Sequence, residues 1–292
     1  MRVHICGTRG STQAPGREFC YYGGHTSCVA LAHDGQAPSL ILDAGTGIRA
    51  VSPLLDGKPF DGAIVLGHLH WDHIHGLPFF RGGDDAGAHV DVYLPEQGDD
   101  PEALLARGFS PPHFPISPSD LGGQWSFRAL REGEHQIEGF SVLAREIPHK
   151  GGRTFGYRVT DGAGIIAYLS DHHPASLGPG PDGYGPYHEA ACVLARDVDL
   201  LLHDAQYLPR EWPKRGDFGH STVGYAVGLA EAANVGTLVL YHHDPARTDD
   251  EITELTENAR RTATVRIEAA AEGQVFDLGR GGGAMLGWGQ VP

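Results

Sequence analysis

The chain has 292 residues, 40% hydrophobic and 20% charged, a composition that fills a sizeable core and excludes wholesale disorder. Its 42 glycines and 20 prolines point to many tight turns rather than long helices, and no apolar run approaches the roughly 20 residues that span a bilayer. With 37 acidic against 22 basic residues the formal net charge is −15, which disfavours a long nucleic acid as partner, because neutralising phosphates supplies most non-specific affinity.

The opening Met1-Arg2-Val3-His4-Ile5-Cys6 reads as a strand and lacks the parts of a secretory leader, so a cytoplasmic location is expected. Cys6, Cys20, Cys28 and Cys192 form no Cys-x-x-Cys pair and read as free thiols of a reducing compartment. In chain order, alternation and β-rich composition predict strands over Arg2–Cys6, Ser27–Ala32, Leu40–Asp43, Ala63–Gly67, Val90–Leu94, Trp125–Leu130 and Ser141–Ile147. Further strands are expected over Gly156–Thr160, Ile165–Ser170, Leu200–His203, Thr237–Tyr241, Val265–Ala269 and Gln274–Leu278. Helices are expected over Ile48–Leu55, His73–Phe80, Pro101–Arg107, Tyr187–Arg196, Ser221–Ala233 and Asp249–Thr262, the last opened by a Thr248-x-x-Glu251 capping box. Residues 108–123 and 177–186, rich in Pro, Gly and Ser, read as surface excursions. No repeat, linker or charge block divides the chain, so one domain over 1–292 is expected. So many short strands with helices threaded between them predict two sheets packed face to face, helices outside.

The densest chemistry is Gly67-His68-Leu69-His70-Trp71-Asp72-His73, directly after the apolar run Ala63-Ile64-Val65-Leu66. Alternation puts His68 and His70 on one side of an extended segment, ready to share a metal, while Asp72 and His73 follow where the chain turns helical and face a second. Imidazole with carboxylate suits Zn²⁺ first, with Mn²⁺ or Fe as alternatives. His75 breaks the alternation and reads as an outer or solvated histidine. Further ligands are offered where other strands end: His149, Asp171 and His242, with His172 and His173 competing beside Asp171 and His243 beside His242 as the lesser candidates.

The His-x-His-x-Asp-His run, followed in order by His149, Asp171 and His242, resembles the metallo-β-lactamase superfamily. Gly76-Leu77-Pro78, Leu202-His203-Asp204-Ala205, Gly219-His220-Ser221-Thr222 and Leu240-Tyr241-His242-His243-Asp244-Pro245 are similar to the branch that contains ribonuclease Z and related phosphodiesterases. So are Gly7-Thr8-Arg9-Gly10-Ser11 and Leu42-Asp43-Ala44-Gly45. The resemblance covers nearly the whole chain and implies an αββα sandwich of two mixed sheets.

It also implies a two-metal hydrolase in which His68, His70 and His149 serve one ion, Asp72, His73 and His242 the other, and Asp171 bridges them. The expected reaction is hydrolysis of a small or cyclic phosphodiester by a metal-bridging hydroxide, with Asp72 orienting that hydroxide or accepting its proton. His220, just ahead of a helix, is expected to protonate the departing alkoxide, with Asp204 fixing its tautomer. Asp43 is a candidate prop for a ligand histidine. A tRNA 3′ endonuclease and a thioester or lactam hydrolase are the alternatives. No basic RNA-binding arm is evident, so the partner expected here is a small molecule and not a membrane, and the resemblance implies a homodimer.

Overall fold

A computed structural model describes residues 1–174 and 188–279, with the backbone of a strand at 284–286. Every expected strand forms. The first sheet contains β1 (Arg2–Gly7), β2 (Cys28–Ala32), β3 (Leu40–Leu42), β4 (Asp61–Val65), β5 (His89–Pro95) and β6 (Gln124–Leu130). The second contains β7 (Gly133–Ile137), β8 (Phe140–Ile147), β9 (Thr154–Thr160), β10 (Ile165–Leu169), β11 (Leu200–Asp204), β12 (Thr237–Tyr241) and β13 (Arg266–Ala269). The chain then returns to the first sheet as β14 (Val275–Asp277) and β15 (Ala284–Leu286). The spatial orders are β15-β14-β1-β2-β3-β4-β5-β6 and β13-β12-β11-β10-β9-β8-β7. Both sheets are mixed: β3 to β6 and β10 to β13 run parallel, and the remaining neighbours are antiparallel.

The strand pleat sorts side chains into three apolar layers. Val29, Leu31, Leu42 and Val65 meet Val142, Tyr157, Val159, Leu202 and Val239 between the sheets. On the outer face of the first sheet, Ala30, Ile41, Ile64 and Val92 pack with Ile48, Ile74 and Leu105. On the outer face of the second, Leu201, Leu238 and Leu240 pack with Leu194, Leu229 and Leu255. The helices involved are α1 (Trp71–Ile74), α2 (Pro101–Gly108), α3 (Glu189–Ala195), α5 (Val223–Ala232) and α6 (Asp249–Thr262); α4 (Trp212–Arg215) lies in a loop near the site. The arrangement is the expected αββα sandwich.

Two expected helices need correction, and one strand was missed. Residues 48–55 form two 3₁₀ turns, Thr46–Ala50 and Ser52–Leu55, because Pro53 supplies no N–H to carry an α-helix forward. Residues 73–80 likewise split into the single turn of α1 and a 3₁₀ turn at Leu77–Phe79, since Pro78 interrupts the ladder. The strand β7 was not expected: Gly133-Glu134-His135-Gln136-Ile137 is polar, and as the sheet's edge it buries only Ile137. The segment 108–123 holds a 3₁₀ turn at Pro118–Asp120, whereas Tyr187 and the segment 177–186 lie outside the described residues. The four cysteines are unpaired, as expected. Among the described residues no helix is long and apolar enough to cross a membrane.

Candidate metal centre

The candidate residues gather at one rim of the sandwich because strands from both sheets end there. The chain leaving β4 carries His68 and His70, that leaving β8 carries His149, that leaving β10 carries Asp171, and that leaving β12 carries His242, while Asp204 closes β11. Rigid strands thus fix the starting point of every short loop that bears a candidate ligand. The alternation expected for His68 and His70 holds: their ring centroids lie 4.3 Å apart.

Five overlapping three-residue sets of ligand atoms lie at the rim among the described residues, two of them including His220, and two others match the expected halves. His68, His70 and His149 bring one nitrogen each within 4.8 Å of one another, and a carboxylate oxygen of Asp72 and one nitrogen each of His73 and His242 do the same. Asp171 sits between them. Its Oδ1 lies 3.6 Å from His149 Nε2 and 3.4 Å from His242 Nε2, and its Oδ2 lies 3.0 Å from His73 Nε2. The competitors are placed elsewhere. His243 Nε2 pairs with the Ala270 carbonyl at 3.0 Å, His172 Nδ1 pairs with His203 Nε2 at 3.0 Å, and the His173 ring lies beside Trp212. His75 is exposed and stacks on Trp71, away from both sets.

Several of these buried atoms have no hydrogen-bond partner: both ring nitrogens of His68, Nε2 of His73 and both carboxylate oxygens of Asp171. Leaving a buried polar group unsatisfied costs about 1–3 kcal/mol. A cluster of such groups aimed at one another is what a cation would resolve, so the donor set fits divalent metal. Burial drives the His68 imidazole well below its ordinary pKa and takes His149 down to about 4, which keeps both rings neutral as ligation requires. Burial opposes ionisation of Asp72, but the imidazoles of His73 and His242 outweigh it and hold the carboxyl well below the usual range.

An outer layer aims the inner one. Asp43 accepts from His73 Nδ1 at 2.7 Å, the prop expected from its position after β3. Gly219 O accepts from His149 Nδ1 at 2.6 Å. Two partners were not anticipated. Gln206 Oε1 lies 2.9 Å from His242 Nδ1, and the Ser11 backbone N–H donates to Asp72 Oδ2 at 2.6 Å. Gly10 and Ser11 belong to the Gly7-Thr8-Arg9-Gly10-Ser11 motif, which was the available signal; Gln206 carried none. His220 Nδ1 lies 3.0 Å from Asp204 Oδ2, the pairing expected of them, and its ring stacks on His242 at 4.9 Å between centroids. Burial works against charge on His220, yet the Asp204 carboxylate outweighs it and raises the imidazole above its ordinary value.

A sandwich with such a rim defines a class. The chain belongs to the beta-lactamase superfamily: the family model described as the beta-lactamase superfamily domain matches residues 39–243, from β3 through His242 and His243. It is a metal-dependent hydrolase, and fold and side-chain clusters together imply divalent ions at the rim. Among individual relatives, it is 28% identical to ribonuclease Z of Listeria innocua over 260 residues, 74% of this chain and 81% of that protein. Among solved structures it resembles the metallo-beta-lactamase fold protein YhfI of Bacillus subtilis, with TM-score 0.68, 18% identity and coverage of 94% and 97%. It also resembles the short form of human tRNase Z, with TM-score 0.64, 20% identity and coverage of 95% and 99%.

These likenesses overturn one expectation. Net charge disfavoured nucleic acid and left a small molecule as the partner, yet the chain aligns over most of a ribonuclease. The physical error was to let a sum over the whole surface stand for the site. Charges beyond a Debye length of about 10 Å are screened at ordinary ionic strength, so distant carboxylates weigh little on a phosphate held by cations at the rim.

Proposed function

We propose that the chain is a phosphodiesterase working with two divalent cations, and that RNA-type diesters are among its substrates. The observation that carries this reading is the pair of three-residue sets flanking Asp171, with its carboxylate oxygens and the buried nitrogens of His68 and His73 Nε2 without a hydrogen-bond partner. His68, His70 and His149 would hold one cation, Asp72, His73 and His242 the other, and Asp171 both. Zn²⁺ is the preferred ion for this imidazole-rich set, with Mn²⁺ next. When bound, such a pair lowers the pKa of water between the ions and polarises a phosphoryl oxygen.

The rest falls to side chains. Asp72, held by the Ser11 N–H, orients the attacking water. His220 donates Nδ1–H to Asp204, which leaves Nε2 to carry the proton that the departing alkoxide needs. A thioester hydrolase has no use for that proton donor, since a thiolate leaves unaided, and the His220–Asp204 pair therefore favours the diester over the thioester. One core shared by both sheets, from Met1 to Leu278, supports reading the whole chain as one hydrolase unit.

Turnover of bis(p-nitrophenyl) phosphate by Zn²⁺- or Mn²⁺-loaded protein tests the reading, with the monoester, a cephalosporin and a thioester alongside. Diester cleavage that is lost in Asp72→Ala is expected. Silence on the diester with turnover of the thioester or lactam would overturn it.

A further inference from the structure

We propose that Trp71 and Phe218 form a base-stacking subsite at the mouth of the metal centre, so that the diester accepted carries a nucleobase beside the scissile phosphate. This rests on the diester reading above and goes beyond it in naming what the substrate presents next to the phosphate.

Large apolar side chains in water are ordinary when single and informative when grouped at a site. The large hydrophobics exposed among the described residues are Tyr21, Trp71, Phe79 and Phe218. Trp71 is 66% exposed and Phe218 60% exposed, and both line one cavity of about 410 Å³ together with His70, Asp72, Asp171 and His220. That volume falls in the roughly 300–1,000 Å³ range of small-ligand clefts.

Both rings are fixed to the centre. Trp71 stands between the candidate ligands His70 and Asp72 and opens α1, and its indole is backed by His75, with centroids 5.4 Å apart and planes 18° apart. Phe218 directly precedes Gly219, whose carbonyl accepts from His149, and His220, the proposed acid. Lys150 Nζ donates to the Asp217 carbonyl at 2.9 Å and pins the same turn. A flat indole backed on one side, beside a phosphate-binding centre, presents the π-face on which a base stacks. Among the described residues no Lys or Arg lines this cavity. The described lining thus offers the part of the substrate flanking the phosphate uncharged contact, and stacking is sequence-tolerant contact of that kind.

The test uses the full chain loaded with Zn²⁺. Binding of adenosine 5′-monophosphate and of ribose 5-phosphate is compared by calorimetry, and Trp fluorescence is followed in parallel. The base should tighten binding by roughly 5- to 100-fold, the range that stacking of one base supplies, and quench fluorescence. That advantage should be lost in Trp71→Ala, reduced in Phe218→Ala and restored in Trp71→Phe. In turnover, the preference for the dinucleotide ApA over its abasic counterpart should fall by the same factor through KM. 2′,3′-Cyclic AMP, run beside ApA, shows whether the base comes from a chain or a cyclic nucleotide.

Equal binding of the two monophosphates, or variants that weaken both alike, would overturn the subsite whether or not diesters are cleaved. A base-dependent advantage in a protein that cleaves no diester would leave the subsite standing and overturn the diester reading instead. Light scattering on Trp71→Ala completes the set: a change in mass with AMP binding untouched would make this face a contact between copies of the chain and overturn the proposal.

Discussion

Asp43 Oδ2 lies 2.7 Å from His73 Nδ1, and the same carboxylate takes the Tyr168 hydroxyl at 2.7 Å and, through Oδ1, the Gly67 N–H at 2.6 Å. One side chain therefore fixes the tautomer of His73 and ties the strand ends of both sheets together at the rim. It does so from a left-handed backbone (φ 60°), a conformation that Asp and Asn tolerate better than most residues.

Asp43→Asn keeps that backbone tolerance and removes the charge. Metal affinity is expected to fall about 10- to 100-fold, the usual effect of losing an outer partner of a ligand histidine. Competition with a chromophoric chelator reads this directly, and unchanged affinity would show that His73 is not a ligand.

Gly10 makes a second test of the ligand set. A Cβ placed there would lie 2.2 Å from His242 Nδ1 and 2.3 Å from its Cε1. Neither is reachable without moving the ring, and Gly10 is not among the positive-φ glycines, so the backbone itself accepts alanine. Gly10→Ala is expected to lower the bound metal per chain, measured by elemental analysis, while far-UV circular dichroism keeps the sheet signal.

The acid assigned to His220 predicts a dependence on leaving group. His220→Ala should lower kcat by about 10²- to 10⁴-fold on an alkyl diester, the range for general acid catalysis, and by much less on a p-nitrophenyl diester, whose phenolate departs without a proton. Asp204→Asn should follow the same pattern more weakly. Equal losses on both substrates, or loss of metal, would make His220 a structural or ligating residue.

The fold and the clustering of the candidate ligands were legible because each had a strong local signal. Apolar runs such as Ala63-Ile64-Val65 declare a strand buried on both faces, and His68, His70, Asp72 and His73 are too dense for chance. His149, Asp171 and His242 were read as candidates from their places at strand ends, and the structure sets His242 Nε2 3.2 Å from Asp72 Oδ2 while His243 Nε2 faces the Ala270 carbonyl. Tertiary context hid the rest. β7 is a polar edge that forms because β8 offers it a partner, and Gln206 matters only because β11 and β12 bring it to His242. Charge misled over partners, being read as a total where the chemistry is local.

Glu272 gives the pH prediction. Burial pushes its carboxyl up to about 7 from an ordinary 4.5, against the opposing N–H groups of His25 and Gly24 and the Arg9 guanidinium. Its Oε1 accepts from His25 N at 2.6 Å. Because the folded pKa is raised, the folded state holds the proton longer than the unfolded chain does. The contribution of Glu272 therefore favours the native fold most below 4.5, falls as pH climbs from 4.5 to about 7, and becomes a constant penalty above that. The shift corresponds to at most about 3 kcal/mol. Glu272→Gln keeps an acceptor for the His25 N–H and removes the titration. Thermal midpoints from pH 5 to pH 8 should show the wild type falling relative to the variant. Parallel curves would mean that Glu272 ionises at its ordinary pKa, with Arg9 and the two N–H groups offsetting its burial.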